Sequence, residues 1–128
     1  GSIGFAFPAA MGAWAATRGS HPLIAVAGDG GFAQYMAELT TSVKYGMNIK
    51  VILLNNDELG KITKEQLSGG FRQFATGLHN PHFASYAEGC GALGIRVTRR
   101  EELHGAMQRV MDHDGTALLE IMTDANLV

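Results

Sequence analysis

Residues 22–56 read PLIAVAGDGGFAQYMAELTTSVKYGMNIKVILLNN, and this stretch decides the fold. Pro22 to Ala27 is a short, continuous apolar run, the pattern of a strand buried on both faces. It ends in Gly28-Asp29-Gly30-Gly31. Phe32, Tyr35, Met36, Leu39 and Val43 then recur at helical spacing, and Gly46 closes that helix. Ile49 to Leu54 is a second buried-strand run, ending in Asn55-Asn56-Asp57. A strand, a helix and a strand in so short a stretch make one βαβ unit, with parallel strands and a right-handed crossover.

Working outward, the alanine-rich stretch from about Phe7 to Thr17 predicts a helix, with Gly19 as its stop. Downstream, residues 59–67 form a short helix, Ser68-Gly69-Gly70 breaks the pattern, and the stretch to Asn80 reads as a loop or mobile segment. Asn80-Pro81 looks like an N-cap followed by a first-turn proline. Phe83, Tyr86, Ala87, Cys90 and Leu93 make one face of the helix that follows. Ile95 to Val97 is a short strand. Thr98 to Glu101 matches a capping box in front of a helix carrying Leu103, Met107, Val110 and Met111. Asp114-Gly115 turns the chain into a last strand, Ala117 to Met122. Strands alternating with helices predict the α/β class: a three-layer open, mostly parallel sheet with helices on both faces.

The chain has 128 residues, 46% of them hydrophobic, which suits one domain with one core over residues 1–128. Its formal charge of −2, with both signs interspersed, argues against an electrostatic nucleic-acid surface. The single cysteine, Cys90, has no internal disulfide partner and no zinc-type partner, so the expected setting is reducing and cytoplasmic. No apolar run reaches the roughly 20 residues of a membrane helix. The sequence opens in mid-pattern, as a piece of a longer multidomain protein would.

Open parallel sheets bind ligands beyond the carboxyl ends of their strands. Two such ends carry unusual polar residues, Asp29 after one strand and Asn55-Asn56 after the next. If these strands are neighbours, Asp29 and Asn56 converge on one cation. Both offer hard oxygen ligands, as Mg²⁺ prefers, and a backbone carbonyl just after Asn56 is a further candidate. Gly28, Gly30 and Gly31 let a backbone approach a ligand closely. Helix starts near Phe32 and near Leu59-Gly60 aim free N–H groups at the same place. The expectation is a magnesium-bridged diphosphate held between two helix N-termini. An ordinary pair of turns is the bland alternative, because Asp-Gly and Asn-Asn are common turn residues.

The stretch from Gly28 to Asn56 resembles the signature of the thiamin-diphosphate-dependent enzymes: GDG, an intervening helix and strand, then NN. The opening GSIGFAFPAAMGA resembles the sequence before that signature, and NPHFASYAEGCGALGIRV from Asn80 to Val97 is similar to the pyruvate oxidase and acetolactate synthase branch. The resemblance implies Mg²⁺ bound by the side chains of Asp29 and Asn56 and by the main-chain oxygen of Glu58, whose identity should then matter little. It implies diphosphate contacts from Gly30 and Gly31 and from the backbone of Leu59, Gly60 and Lys61. Gly1 falls where a carbonyl meets the cofactor's aminopyrimidine, and Ile3 where a bulky side chain wedges the cofactor into a bent form.

The implied function is decarboxylation of a 2-oxo acid, pyruvate first, through an enamine/carbanion carried by the cofactor. Glu65 stands where pyruvate oxidases commonly have glutamate, and is the tentative catalytic residue. Acetolactate synthases typically have tryptophan there. Lys61 departs from both, since an apolar residue is usual. An oxidase-like enzyme is the first reading and an acetolactate synthase-like carboligase the second. FAD, if used, would be bound by another part of the full-length enzyme. The glutamate that activates the aminopyrimidine belongs to a pyrimidine-binding domain of the same or a neighbouring subunit, so a homo-oligomer is implied.

A non-catalytic α/β binding module is the rival from another class, and intact Asp29 and Asn56 argue against it. No serine sits in a GxSxG elbow, the glycine loop lacks the P-loop lysine, and the five histidines show no metal-ligand spacing. Residues 1–128 alone are expected to be catalytically inactive and to bind cofactor weakly. Robust turnover of pyruvate by this purified chain, with thiamin diphosphate and Mg²⁺ supplied, would refute that expectation.

Overall fold

A computed structural model describes residues 2–127. Strands β1 (Leu23–Gly28), β2 (Ile49–Asn55), β3 (Leu93–Val97) and β4 (Ala117–Met122) form one all-parallel sheet in the order β1-β2-β4-β3. Helices α1 (Ala6–Ala16), α2 (Asp29–Ala33), α3 (Leu39–Lys44), α4 (Gly60–Ser68), α5 (Phe83–Gly89) and α6 (Leu103–Asp112) connect or precede them. The class read from the sequence is the class observed.

Successive strand residues point to opposite faces, so one sheet supplies two cores. On one face Ile49, Val51, Leu53 and Leu118 pack with Phe7, Phe32 and Phe83. On the other, Ile52, Leu119 and Val97 pack with Ala106 and Val110 of α6. The phenylalanines join three helices: Phe32 of α2 lies 5.7 Å from the ring of Phe7 in α1, tilted, and 5.7 Å from Phe83 in α5, edge-on. Such pairs contribute about 0.5–1.5 kcal/mol beyond their burial. The second face is covered only in part, and Ile24, Val26 and Leu54 stay exposed on it.

Away from the strands' carboxyl ends, fully buried Lys50 donates to the carbonyls of His113 at 2.5 Å and Gly115 at 2.7 Å. Burial pushes its ammonium below the usual lysine range, with Asp114 opposing. It ties β2 to the turn entering β4.

Several local expectations are corrected. The helix read from Phe32 to Val43 starts earlier, at Asp29, and is broken into α2, a 3-10 turn at Met36–Glu38, and α3. Tyr35 leaves helical geometry at φ −128°, ψ 16°. Apolar spacing reports which residues face the core, and two short helices can present the same face as one long one. The cap of α5 is His82, whose Nδ1 accepts from Ser85 N at 3.1 Å, not Asn80. Leu93 belongs to β3 rather than to the preceding helix. The capping box at Thr98–Glu101 does not form: the helix opens through a 3-10 turn at Arg100–Glu102, where Arg99 pairs with Glu102 at 2.5 Å. The ion pair of Arg99 engages Glu102, one residue beyond the glutamate that a box would use.

Helix α5 lies close on β3. A Cβ built on Gly94 would lie 2.0 Å from the carbonyl oxygen of Ala84 and 2.8 Å from its carbon. Both atoms are backbone, so no rotamer change relieves the overlap. Gly94→Ala is expected to cost at least the upper end of the roughly 1–3 kcal/mol typical of overpacking, read as a lowered midpoint in chemical denaturation.

Candidate functional site

The register of β1 on β2 builds the site. Gly28 pairs with Leu54, so both strands finish side by side and their loops leave together. Asp29 opens α2 and is 3% exposed. Its Oδ1 accepts from Gly30 N at 2.9 Å and its Oδ2 from the amide Nδ2 of Asn80 at 2.7 Å.

The loop after β2 is shaped by two successive side-chain turns. Asn55 Oδ1 accepts from Asp57 N, and Asn56 Oδ1 accepts from Glu58 N, each at 3.1 Å. Asp57 takes φ +55°, a left-handed conformation that aspartate tolerates better than most side chains. The turn throws the chain into α4. Leu59, its cap residue, makes no side-chain capping bond, so the first backbone N–H groups of α4 have neither side-chain cap nor intrahelical partner.

Asp29, Asn56 and Glu58 border one cavity together with Gly28, Gly60 and Lys61. An adjoining cavity runs from Ile3 past Gly30 and Gly31 to Leu59. The residues picked from the sequence for the site thus line these two adjoining cavities, with two exceptions. Gly1 lies outside the described residues. Glu65 is exposed on α4, one turn beyond Lys61, and lines neither of these cavities.

The donor set fits a hard divalent cation bridging to a diphosphate. Carboxylate, amide and main-chain oxygens border the region, and the start of α4 supplies free N–H donors beside them. Gly28 adds a second indication. Its φ of −79° is open to any residue, and a Cβ there would meet nothing within 4 Å. Neither backbone nor packing within the chain requires glycine, whereas a ligand approaching the backbone would. Gly30 differs, because a Cβ would lie 2.6 Å from Leu59 Cδ2. Its missing side chain lets the two loops dock.

The sequence reading missed four residues that hold the site together: Asn55, Asp57, Asn80 and Glu120. Asn55 is 1% exposed and donates from Nδ2 to Glu120 Oε1 at 2.8 Å. Glu120 is fully buried on β4, and its Oε2 accepts from Ala84 N at the start of α5, at 3.1 Å. One signal was available: a glutamate inside the apolar strand run Ala117 to Met122 must find partners if it is buried.

Glu58 also does more than its main chain suggests. Its Oε1 accepts from Thr63 Oγ1 and Gln73 Nε2, and Leu59 N donates to Thr76 O at 2.8 Å. The stretch to Asn80, read as a loop, is strapped to the site by these bonds and by Leu78 N to Asp57 O at 2.8 Å. Glu58→Ala removes the carboxylate on which Thr63 and Gln73 converge and leaves them only Thr76 Oγ1 as a shared acceptor. It should cost about 1–3 kcal/mol and raise amide exchange across residues 71–78. Unchanged exchange there would show that the carboxylate is incidental.

The profile described as "Thiamine pyrophosphate enzyme, C-terminal TPP binding domain" matches residues 1–121. The Bacillus subtilis protein YdaP, provisionally named a thiamine pyrophosphate-containing protein, is 40% identical over 94% of this chain and 21% of its own length. The mitochondrial acetolactate synthase catalytic subunit of Saccharomyces cerevisiae is 36% identical over 97% of this chain and 18% of its own length. Acetolactate synthase isozyme 2 large subunit of Escherichia coli is 33% identical over 97% and 23%. The chain spans about a fifth of the length of the curated relatives it matches. It belongs to the thiamine pyrophosphate enzymes, as their C-terminal TPP-binding domain.

Proposed function

We propose that this chain holds the diphosphate of thiamin diphosphate through Mg²⁺, within a full-length enzyme that decarboxylates a 2-oxo acid, with pyruvate the first candidate. The observation that carries the reading is the meeting of Asp29, Asn56 and Glu58 around one cavity beside the open start of α4.

In this reading Asp29 and Asn56 hold the cation through side-chain oxygens, and Glu58 through its carbonyl. Asp29 Oδ1 and Oδ2 each accept one hydrogen bond within the chain, and a carboxylate has further lone pairs for a metal. Asn56 Oδ1 likewise accepts one bond, from Glu58 N. Gly28, Gly30 and Gly31, with the backbone of Leu59, Gly60 and Lys61, cradle the diphosphate; the positive end of α4 favours its charge. Ile3, exposed at the rim, wedges the organic part of the cofactor. Gly1 keeps its proposed carbonyl contact. When bound, thiamin diphosphate supplies the electron sink for the carbon that loses CO₂.

Two branches remain, and two observations shift their order. The oxidase-like reading rests on Glu65, which stands outside the cavity of Asp29 and Asn56. The carboligase reading is supported by relatives named acetolactate synthases. We therefore put condensation of pyruvate first and oxidation second. An oligomer, a pyrimidine-binding domain from the same or a neighbouring subunit, FAD elsewhere in the enzyme, and a cytoplasmic location complete the proposal. Among the described residues no helix is long and apolar enough to cross a membrane.

Supplied with pyruvate, thiamin diphosphate and Mg²⁺, with and without FAD, the full-length protein should form acetolactate. Acetate instead would restore the oxidase. Stripping divalent cations, or Asp29→Ala, should lower cofactor uptake measured by calorimetry at least tenfold. Cofactor uptake indifferent to both would remove the metal from the reading.

A further inference from the structure

We infer that Asn80 is a positioning residue for the cation site: one amide nitrogen holds the β1 and β2 loops in the geometry that selects Mg²⁺ over larger divalent cations. The inference rests on the metal-binding role proposed above for Asp29, Asn56 and Glu58, and adds a residue that borders neither cavity and acts through Asp29.

Three oxygens surround Asn80 Nδ2. Asp29 Oδ2 lies at 2.7 Å, Asp57 Oδ1 at 3.0 Å and Asn55 Oδ1 at 3.1 Å. The first belongs to the loop after β1 and the other two to the loop after β2. An amide nitrogen carries two hydrogens, so three acceptors share them and the shortest contact goes to Asp29. Without this donor, the carboxylates of Asp29 and Asp57 would face each other and the Asn55 oxygen with nothing between them, and repulsion would spread the loops.

Asn80 is itself held on both sides. Upstream, Leu78 N donates to Asp57 O at 2.8 Å. Downstream, His82 caps α5, and Ala84 N of α5 donates to Glu120 Oε2. Glu120 Oε1 accepts from the same Asn55 whose oxygen meets Asn80. The amide therefore closes a ring: Asn80 to Asn55, Asn55 to Glu120, Glu120 to α5, and α5 back through His82 and Pro81 to Asn80. A closed hydrogen-bonded ring fixes the Asp29 carboxylate more tightly than any single contact would.

Rigidity of this kind decides which cation fits. Mg²⁺ requires near-octahedral geometry at about 2.0–2.1 Å, whereas Ca²⁺ accepts irregular shells at about 2.3–2.6 Å. A partner behind a metal ligand typically changes metal affinity roughly 10–100-fold when removed. Loosening Asp29 should therefore weaken Mg²⁺ far more than Ca²⁺.

The test titrates Mg²⁺ and Ca²⁺ by calorimetry into the full-length protein with saturating thiamin diphosphate, for wild type and Asn80→Ala. The expected result is a fall in Mg²⁺ affinity of about 10–100-fold with a several-fold smaller fall for Ca²⁺. Asn80→Gln keeps an amide one methylene further out. It is read in the same way if the alanine chain does not fold, and should also lower the Mg²⁺/Ca²⁺ ratio. Equal losses for both cations would mean general destabilisation and overturn the inference, as would unchanged Mg²⁺ affinity. A wild-type protein that takes up neither cation overturns the functional reading, and this inference with it. Wild-type uptake with an unaltered variant sinks the inference alone.

Discussion

Parallel pairing of Gly28 with Leu54 sets two loops about 5 Å apart, and the rest of the site follows from that spacing. In a parallel sheet both strands finish at the same edge, so whatever side chains follow them are brought together without a long-range turn. Here they are an aspartate and two asparagines, groups that bury poorly and bind cations well. The same register carries Asn55 one residue further, where it pairs with Met122 of β4. That extra pairing brings Asn55 beside Glu120, two residues back along β4. A one-residue slip would turn Asn55 to the opposite face and cut it off from Glu120.

Glu120 shows what this arrangement demands. A fully buried carboxylate is expensive unless its oxygens are satisfied. Both are: Asn55 donates to one and Ala84 N to the other, with Arg96 at 3.8 Å adding positive charge nearby. The Ala84 bond also serves a helix-start N–H that would otherwise be orphaned. One side chain thus meets the needs of a strand end and a helix start. Close packing enforces the same alignment, since Gly94 lets α5 lie directly on β3.

The fold was readable because its strands are apolar runs of the right length, and its two loops carry polar residues at the sheet edge where ligands bind. Gly28, Asp29 and Asn56 announced themselves by position. What escaped was everything held by side chains across large sequence separation. Asn80 sits before a proline, and local logic makes it a helix cap; only the folded chain shows that Asp29, 51 residues earlier, competes for its amide. Glu58 was read through its carbonyl, so its carboxylate was dismissed, although Thr63 and Gln73 converge on it. The break at Tyr35 was invisible because periodicity counts buried positions rather than hydrogen bonds. Glu120 was the one omission with a local clue.

The distribution of polarity around the cavity bears on what can sit there. Its floor is glycine backbone and the Asp29 carboxylate, while Ile3, Phe5, Val26 and Ile62 at its margin are exposed apolar side chains. An inorganic diphosphate would use the floor and leave the margin in water. A purely apolar ligand would do the reverse and leave Asp29 without a counter-charge. The arrangement suits a molecule with an anionic tail and a flat, weakly polar body, whose entry would remove the margin from water at roughly 25 cal/mol per Å². In the proposed reading, removing water also strengthens the cation's hold on the tail, because the same charges then act through a lower dielectric. Tail and body therefore assist each other: the apolar margin raises the affinity of the charged floor, and the floor fixes which end of the ligand enters.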